Sequence, residues 1–255
     1  AIIVDSTHSK SKGINETPTQ MLRRTSKELR KEIYCKRPEL AEKFPDKPTD
    51  EDSLDNEIKY IEELIDVLKK DITDEDHKKL KNRYNQVKEL VEKINHEDIQ
   101  SMTDENAKVG YKSESDKFFG YKNHLAVTEE RIITGLEVTD GAASDGKQLG
   151  ILIEKTKQSG LEVEEVIGDK AYSGKDNLEY SDDIDIISKL HPVISNGNRQ
   201  NDDRFYFNKD AELKQSHGLD KCDYLGLIGM KIQSYFTAIT SNVKRIIKLM
   251  DIKTA

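Results

Sequence analysis

The spacing of apolar residues changes character at about Ala107. Before that point, apolar residues in 58–68 and again in 80–94 recur at helical spacing around the breaker DITDED, which predicts two amphipathic helices in an antiparallel hairpin. After it, GYKNHLAVTE and RIITGLEVTD have the composition of strands and are separated by Glu129-Glu130, which predicts a β-hairpin. The chain therefore has to combine a helical hairpin with a sheet.

The remaining elements predict that this sheet is mixed. The run AIIV predicts a buried strand that ends at Asp5, LEVEEVIG a strand that ends at Asp169, and IDIISKL a further short strand. Ser144 and Asp145 are expected to form the N-cap of a helix over KQLGILIEKTKQ, with Gly160 as its C′ residue. A long helix should run from about Leu225 to Met250. Its core stripe is expected to be Tyr235, Phe236, Ile239, Val243 and Ile246.

This order of elements predicts an α/β fold, a mixed sheet flanked by helices, with the helical hairpin inserted after the first strand. We divide the chain into residues 1–12, the first strand of the domain; 13–105, a basic segment and the helical-hairpin insertion; and 106–255, the remainder of the domain. Thr17-Pro18 is a helix start within the basic segment.

Charge is segregated along the chain. The 255 residues carry a net charge of -8, which disfavours a polyanionic partner, yet residues 10–37 are basic and acidic residues dominate only from about Glu39 to Glu105. Lys12, Arg23 and Arg24 in the basic segment are therefore candidates for nonspecific phosphate contacts, although a solvated helix face explains the charge equally well. No long apolar run or signal peptide is present, which predicts a cytoplasmic protein.

Asp5 and Asp169 form the most informative pair of polar residues. Both are expected at the carboxyl ends of strands, where ligands of open α/β sheets bind. Two carboxylates held close together need a cation to neutralise them, and oxygen ligands suit Mg²⁺. Each aspartate alone is better explained as a turn or cap residue, and only the pair in this strand order favours a metal site.

Four segments together resemble the catalytic domain of bacterial insertion-sequence DDE transposases. They are IIVDSTHSKSKG; VGYKSESDKFFGYKNHLAVTEERIITGLEVTDGAASDGKQLGILIEKT; VIGDKAYSG; and HGLDKCDYLGLIGMKIQSYFTAITSNVKRIIKLM. The resemblance implies an RNase H-like fold and an Asp-Asp-Glu triad that binds two Mg²⁺ ions, with Mn²⁺ as a possible substitute. Asp5 and Asp169 match its first two carboxylates. The DNA-binding candidates it adds are Lys112, Lys122, His124 and Lys214, with Lys122 and His124 on one strand face.

The third carboxylate departs from the family pattern. In the family's Y-x2-R-x3-E-x6-K arrangement, counting back from Lys214 puts the glutamate at Phe207, so Glu212 is the candidate substitute. The family also has a DNA-binding region before the first strand and a segment before the last helix, so the resemblance implies a truncated and internally shortened chain. A triad short of one ligand is expected to bind metals weakly and to catalyse slowly.

The function that this resemblance implies is transposition of a DNA insertion sequence. Mg²⁺-dependent strand cleavage and strand transfer would act on double-stranded DNA, both transposon ends and target. The protein would be cytoplasmic and nucleoid-associated, and a second copy of the chain, in a homodimer, is a further candidate partner. One alternative is a catalytically inactive transposase remnant that acts only as a DNA-binding or protein-interaction module. Another is an RNase H-like nuclease that acts on RNA.

Overall fold

The computed structural model describes residues 1–48, 53–73, 76–96, 99–111, 115–180, 185–188, 205–207 and 221–254. The chain divides into two compact units. One contains residues 14–105, and the other combines residues 1–13 with 106–255. No helix in the described ranges is long and apolar enough to cross a bilayer.

The unit formed by residues 14–105 is helical. It contains α1 (Pro18–Lys36), a 3₁₀ helix (Pro38–Lys43), α2 (Leu54–Leu68) and α3 (Lys78–His96). The predicted helices α2 and α3 are confirmed, and their apolar faces share one core with Leu29 and Ile33 of α1. α1 begins with a capping box in which Thr17 and Gln20 exchange hydrogen bonds, as its start signal predicted. The unit therefore has three packed helices rather than a two-helix hairpin.

The second unit is built on one mixed sheet. Its described strands are β1 (Ile2–Lys10), β2 (Lys108–Tyr111), β3 (Lys117–Thr128), β4 (Ile133–Asp140), β5 (Glu165–Gly168), β6 (Asp185–Ser188) and β7 (Phe205–Phe207). The order is β2-β3-β1-β5-β6-β7, and β4 pairs with β3. β1 is central: it is antiparallel to β3 over its whole length and parallel to β5. The predicted hairpin is β3–β4.

Helices cover both faces of this sheet. α4 (Leu149–Gln158) packs its Leu149, Leu152 and Ile153 onto Ile2, Val4 and Ala126. Gly160, whose φ is +88°, is its C′ residue, as predicted. α6 (Gly226–Thr254) packs onto Leu125, Leu136 and Val138 in a second cluster. A short helix α5 spans Lys175–Tyr180. The mixed α/β sheet flanked by helices is therefore confirmed.

The predicted core stripe of α6 is wrong. All five predicted side chains are exposed, from 44% for Tyr235 to 68% for Phe236. The helix instead packs through Met230, Ala238 and polar residues. Ser234 donates to Asn123 Oδ1 of β3, and the Asn242 amide both donates to the Ile133 carbonyl and accepts from the Ile133 N–H, each at 2.8 Å. The longer apolar stripe lies on the side of the helix that faces away from that sheet.

Candidate functional site

The parallel pairing of β1 and β5 brings Asp5 and Asp169 to equivalent positions. Ile2 pairs with Val166 and Ile3 with Ile167, so each aspartate lies two residues beyond the last paired residue of its strand. Asp5 does not end β1, however, because β1 continues to Lys10 against β3 after its pairing with β5 stops. The predicted end of the first strand at Asp5 is therefore wrong, whereas the strands that carry the two aspartates are adjacent.

Both aspartates are held by backbone amides on their own segments. Asp5 is half-buried and accepts from Ser6 N–H at 2.8 Å through Oδ1. Asp169 is exposed and accepts from Ala171 N–H at 2.7 Å. Hydrogen bonds from N–H groups favour the charged form of a carboxylate and fix its orientation. Such an arrangement presents anionic oxygen at the point where the pairing of β1 with β5 stops.

A third carboxylate, Asp145, lies on the loop between β4 and α4. Its expected N-cap role is wrong, because its side chain makes no capping hydrogen bond. It points instead to β3, where Oδ1 accepts from Lys122 Nζ at 3.0 Å and lies 3.6 Å from His124 Nδ1. Lys122 also donates to the Ala143 carbonyl at 2.8 Å. Lys122 and His124 thus share one strand face, as predicted.

His124 is fully buried in this cluster. Burial, the largest effect, and the nearby Lys122 ammonium together lower the pKa of its imidazole from 6.5 to about 4, against the opposing effect of Asp145. His124 is therefore neutral at pH 7. Its Nε2 is 2.9 Å from Thr139 Oγ1, and its Nδ1 has no hydrogen-bond partner within the described residues.

Tyr172 is the residue of this region that the sequence interpretation missed. It follows Asp169 by three residues on the 3₁₀ turn Lys170–Tyr172 and is 1% exposed. Burial raises the pKa of its phenol, and the charges of Asp145, Asp5 and Asp169 raise it further. The motif GDKAY contained this tyrosine, but nothing in the sequence distinguished it from an ordinary core residue.

The donor chemistry of Asp5 and Asp169 fits a hard divalent cation, since both offer carboxylate oxygen. Across the described ranges, no group of three His, Cys, Asp or Glu side chains has a geometry that could hold a metal ion. Glu212, the expected third ligand, lies outside these ranges, as do Lys112 and Lys214. The part of the site that the structure describes is therefore a pair of aspartates with supporting groups.

The other DNA-binding candidates are engaged in ion pairs or buried. Lys12 is exposed and pairs with Asp223, while Arg24 forms two 2.8 Å bonds to the Glu16 carboxylate, and Arg23 binds Glu57 at 3.0 Å. Glu16 holds the pKa of Arg24 above its ordinary value. Lys122 and His124 are 8% and 0% exposed. Their contacts support the Asp145 loop.

Comparison with known families identifies the kind of domain. The model of the family described as a transposase DDE domain matches residues 67–206, more than half of the chain, a range that includes Asp145, Asp169 and Tyr172 but not Asp5. No curated protein and no solved structure matched the chain. Members of this family act on polynucleotides and generally use divalent metal ions, and the sheet described above is RNase H-like. The chain therefore belongs to the DDE transposase family.

Proposed function

We propose that this chain catalyses DNA strand cleavage and strand transfer during transposition of an insertion sequence. The observation that carries the proposal is the register of β1 and β5, which gives Asp5 and Asp169 equivalent positions in a chain of the DDE transposase family. In the proposed reaction, water attacks a phosphodiester and releases a 3′-hydroxyl. That hydroxyl then attacks a phosphodiester of the target DNA and displaces its 3′-oxygen, without a covalent enzyme intermediate.

Asp5 and Asp169 are the proposed ligands of Mg²⁺, and Glu212 is the proposed third ligand. A pair of bound ions would supply activation of the attacking oxygen and stabilisation of the leaving oxygen. The chain itself contributes orientation: the backbone amides of Ser6 and Ala171 fix the two carboxylates. Mn²⁺ offers the same preference for oxygen ligands and serves as a probe.

For DNA, we propose contacts with exposed basic side chains of residues 10–37. Lys27 and Lys31 of α1 are exposed and form no ion pair with other described residues, whereas Arg23 and Arg24 are paired with glutamates. Contacts of this kind neutralise phosphates without reading bases, so binding should weaken steeply with salt. The partner would be double-stranded DNA in the bacterial cytoplasm, associated with the nucleoid.

We also propose that the chain forms a homodimer through α6. The outward face of this helix carries a run of exposed apolar side chains that is about 33 Å long at 1.5 Å per residue. A contiguous exposed apolar surface of this kind marks an interaction site more often than scattered apolar residues do. Its basic residues Lys244, Arg245 and Lys248 lie near one end. An antiparallel pairing of two copies keeps these charges apart, so a second copy is the proposed occupant. The run consists of Ile228, Ile232, Tyr235, Phe236, Ile239, Val243, Ile246, Ile247 and Met250.

Calorimetric titration of the whole chain with Mn²⁺ tests the metal site. We expect the wild-type protein to bind Mn²⁺ and Asp169→Asn to bind it at least about tenfold more weakly, because loss of one carboxylate removes a ligand and a negative charge. Asp176→Asn, at an exposed position of α5, is the matched control and should leave binding unchanged.

The wild-type protein and Asp176→Asn should cleave supercoiled plasmid DNA in the presence of Mg²⁺, and Asp169→Asn should cleave it much more slowly. RNA and DNA–RNA hybrid substrates should not be cleaved. Metal binding that does not depend on Asp169, or a protein that binds no metal, would overturn the proposed catalytic site. Either result would favour the alternative of a catalytically inactive transposase remnant.

A further inference from the structure

Most of the exposed apolar stripe of α6 is spaced symmetrically about Ile239. Three apolar residues precede Ile239 by 11, 7 and 4 positions, and three follow it by 4, 7 and 11 positions. They are Ile228, Ile232 and Tyr235 on one side and Val243, Ile246 and Met250 on the other. A two-fold axis between antiparallel helices makes each half of the stripe meet the other half of a second copy. The palindromic spacing satisfies that requirement.

A pocket of about 410 Å³ lies at the C-terminal end of the stripe. One wall is formed by Ile246, Leu249 and Met250 of α6, and the rest by Leu161 and by the turn between β3 and β4. Arg245 ties that turn to the helix, because its Nε donates to the Glu130 carbonyl. An apolar cavity of about 150 Å³ already holds a group the size of benzene, so this pocket has room for a large aliphatic side chain.

The opposite end of the stripe carries a projecting side chain. Ile228 is 77% exposed, the largest exposed fraction among the large apolar side chains of the described ranges. It is 22 residues before Met250, about 33 Å along the helix, so it does not reach the pocket of its own chain. The stripe therefore has a projection at one end and a pocket at the other, at equal distances from Ile239. An isologous interface uses such a pair of features twice.

We propose that the pocket beside Met250 receives the partner's Ile228 in an antiparallel dimer. The interface then extends beyond α6 to Leu161 and to the turn between β3 and β4, and each dimer contains the contact twice. This inference rests on the proposed homodimer, to which it adds the helix register and a second contact surface. The self-complementary positions of projection and pocket make a second copy of this chain the occupant.

Cysteine cross-linking tests the register. The experiment uses a Cys35→Ser background, because Cys35 is exposed whereas the other cysteine, Cys222, is buried. The double variant Leu161→Cys/Ile228→Cys, treated with a short bismaleimide that joins two thiol groups, should become mostly covalent dimer. Each single variant should give no covalent dimer, because antiparallel pairing places the two copies of either position at opposite ends of the interface.

Ile151→Cys/Ile228→Cys is the matched control, because Ile151 is exposed on α4 and does not line the pocket. It should run as a monomer on a denaturing gel. A covalent dimer from Ile228→Cys alone would show parallel pairing and overturn the inference. A dimeric wild-type chain without a cross-link in Leu161→Cys/Ile228→Cys would overturn this inference alone. A wild-type chain that is monomeric by light scattering would overturn the proposed homodimer itself and assign the stripe to another part of the chain or to another protein.

Discussion

His124 couples the stability of the sheet unit to pH. Its imidazole has a folded-state pKa of about 4 against an ordinary value of 6.5, so between these values the unfolded chain binds more protons than the folded chain. The folded state therefore has its full stability above pH 6.5, where His124 is neutral in both states, and it loses stability as pH falls towards 4. The difference amounts to at most about 3 kcal/mol. The charged or titratable groups that act on the ring are Asp145, Lys122, Glu137 and His8.

Urea unfolding at several pH values between 4.5 and 7 measures this coupling. His124→Gln should flatten the dependence of the unfolding free energy on pH, because glutamine does not titrate. His96→Gln, at an exposed position of α3, should keep the slope of the wild-type protein. Equal slopes for the wild type and His124→Gln would show that the buried imidazole is not the titrating group.

At the scale of elements, α6 is attached to the sheet by polar contacts in addition to the apolar packing of Met230 and Ala238. Asn242 forms two hydrogen bonds with the backbone of Ile133 at the start of β4, so Asn242→Ala leaves an N–H and a carbonyl without these partners. We expect the unfolding free energy to fall by about 1–3 kcal/mol. Thr240→Ala removes only a bond to the carbonyl of Phe236 in the same helix and should change stability by less than about 0.5 kcal/mol. Similar losses in both variants would contradict this account of the attachment.

Elements set by local periodicity could be predicted from the sequence. α4, with Leu149 and Leu152 on its buried face, and the hairpin of β3 and β4 follow from spacing alone. The orientation of α6 could not be predicted, because periodicity identifies an apolar face without showing what covers it. Asp145 has the local signal of an N-cap, yet a long-range partner, Lys122 of β3, competes for its carboxylate and takes it.

The same limit applies to the site. Asp5 and Asp169 could be chosen because each closely follows a buried apolar run. The register that gives them equivalent positions arises from strand pairing between residues more than 150 positions apart, which no local pattern encodes. Tyr172 was missed for a related reason: the sequence marks it as an ordinary core residue, and the burial of its hydroxyl without a partner among the described residues arises only from the three-dimensional packing.

At the scale of the whole molecule, the exposed stripe of α6 determines the proposed assembly. Ile239 lies midway between Ile228 and Met250, so a two-fold axis that relates antiparallel helices passes close to it, and the two copies of Ile239 face each other. Ile239→Asp would bury two like charges at that point, which costs far more than the contact gains. We expect the wild-type chain to be dimeric and Ile239→Asp to be monomeric by light scattering after size exclusion.

Ile151→Asp separates this effect from a general loss of apolar surface. Ile151 is exposed on α4, so the same change of side chain is made away from the stripe, and this variant should remain a dimer. Because an antiparallel pair keeps Lys248 and Arg245 of one copy away from those of the other, added salt should strengthen the dimer only slightly. A parallel pair would bring these cations together and gain markedly from salt. A monomeric wild-type chain, or a dimer unaffected by Ile239→Asp, would contradict the use of this surface.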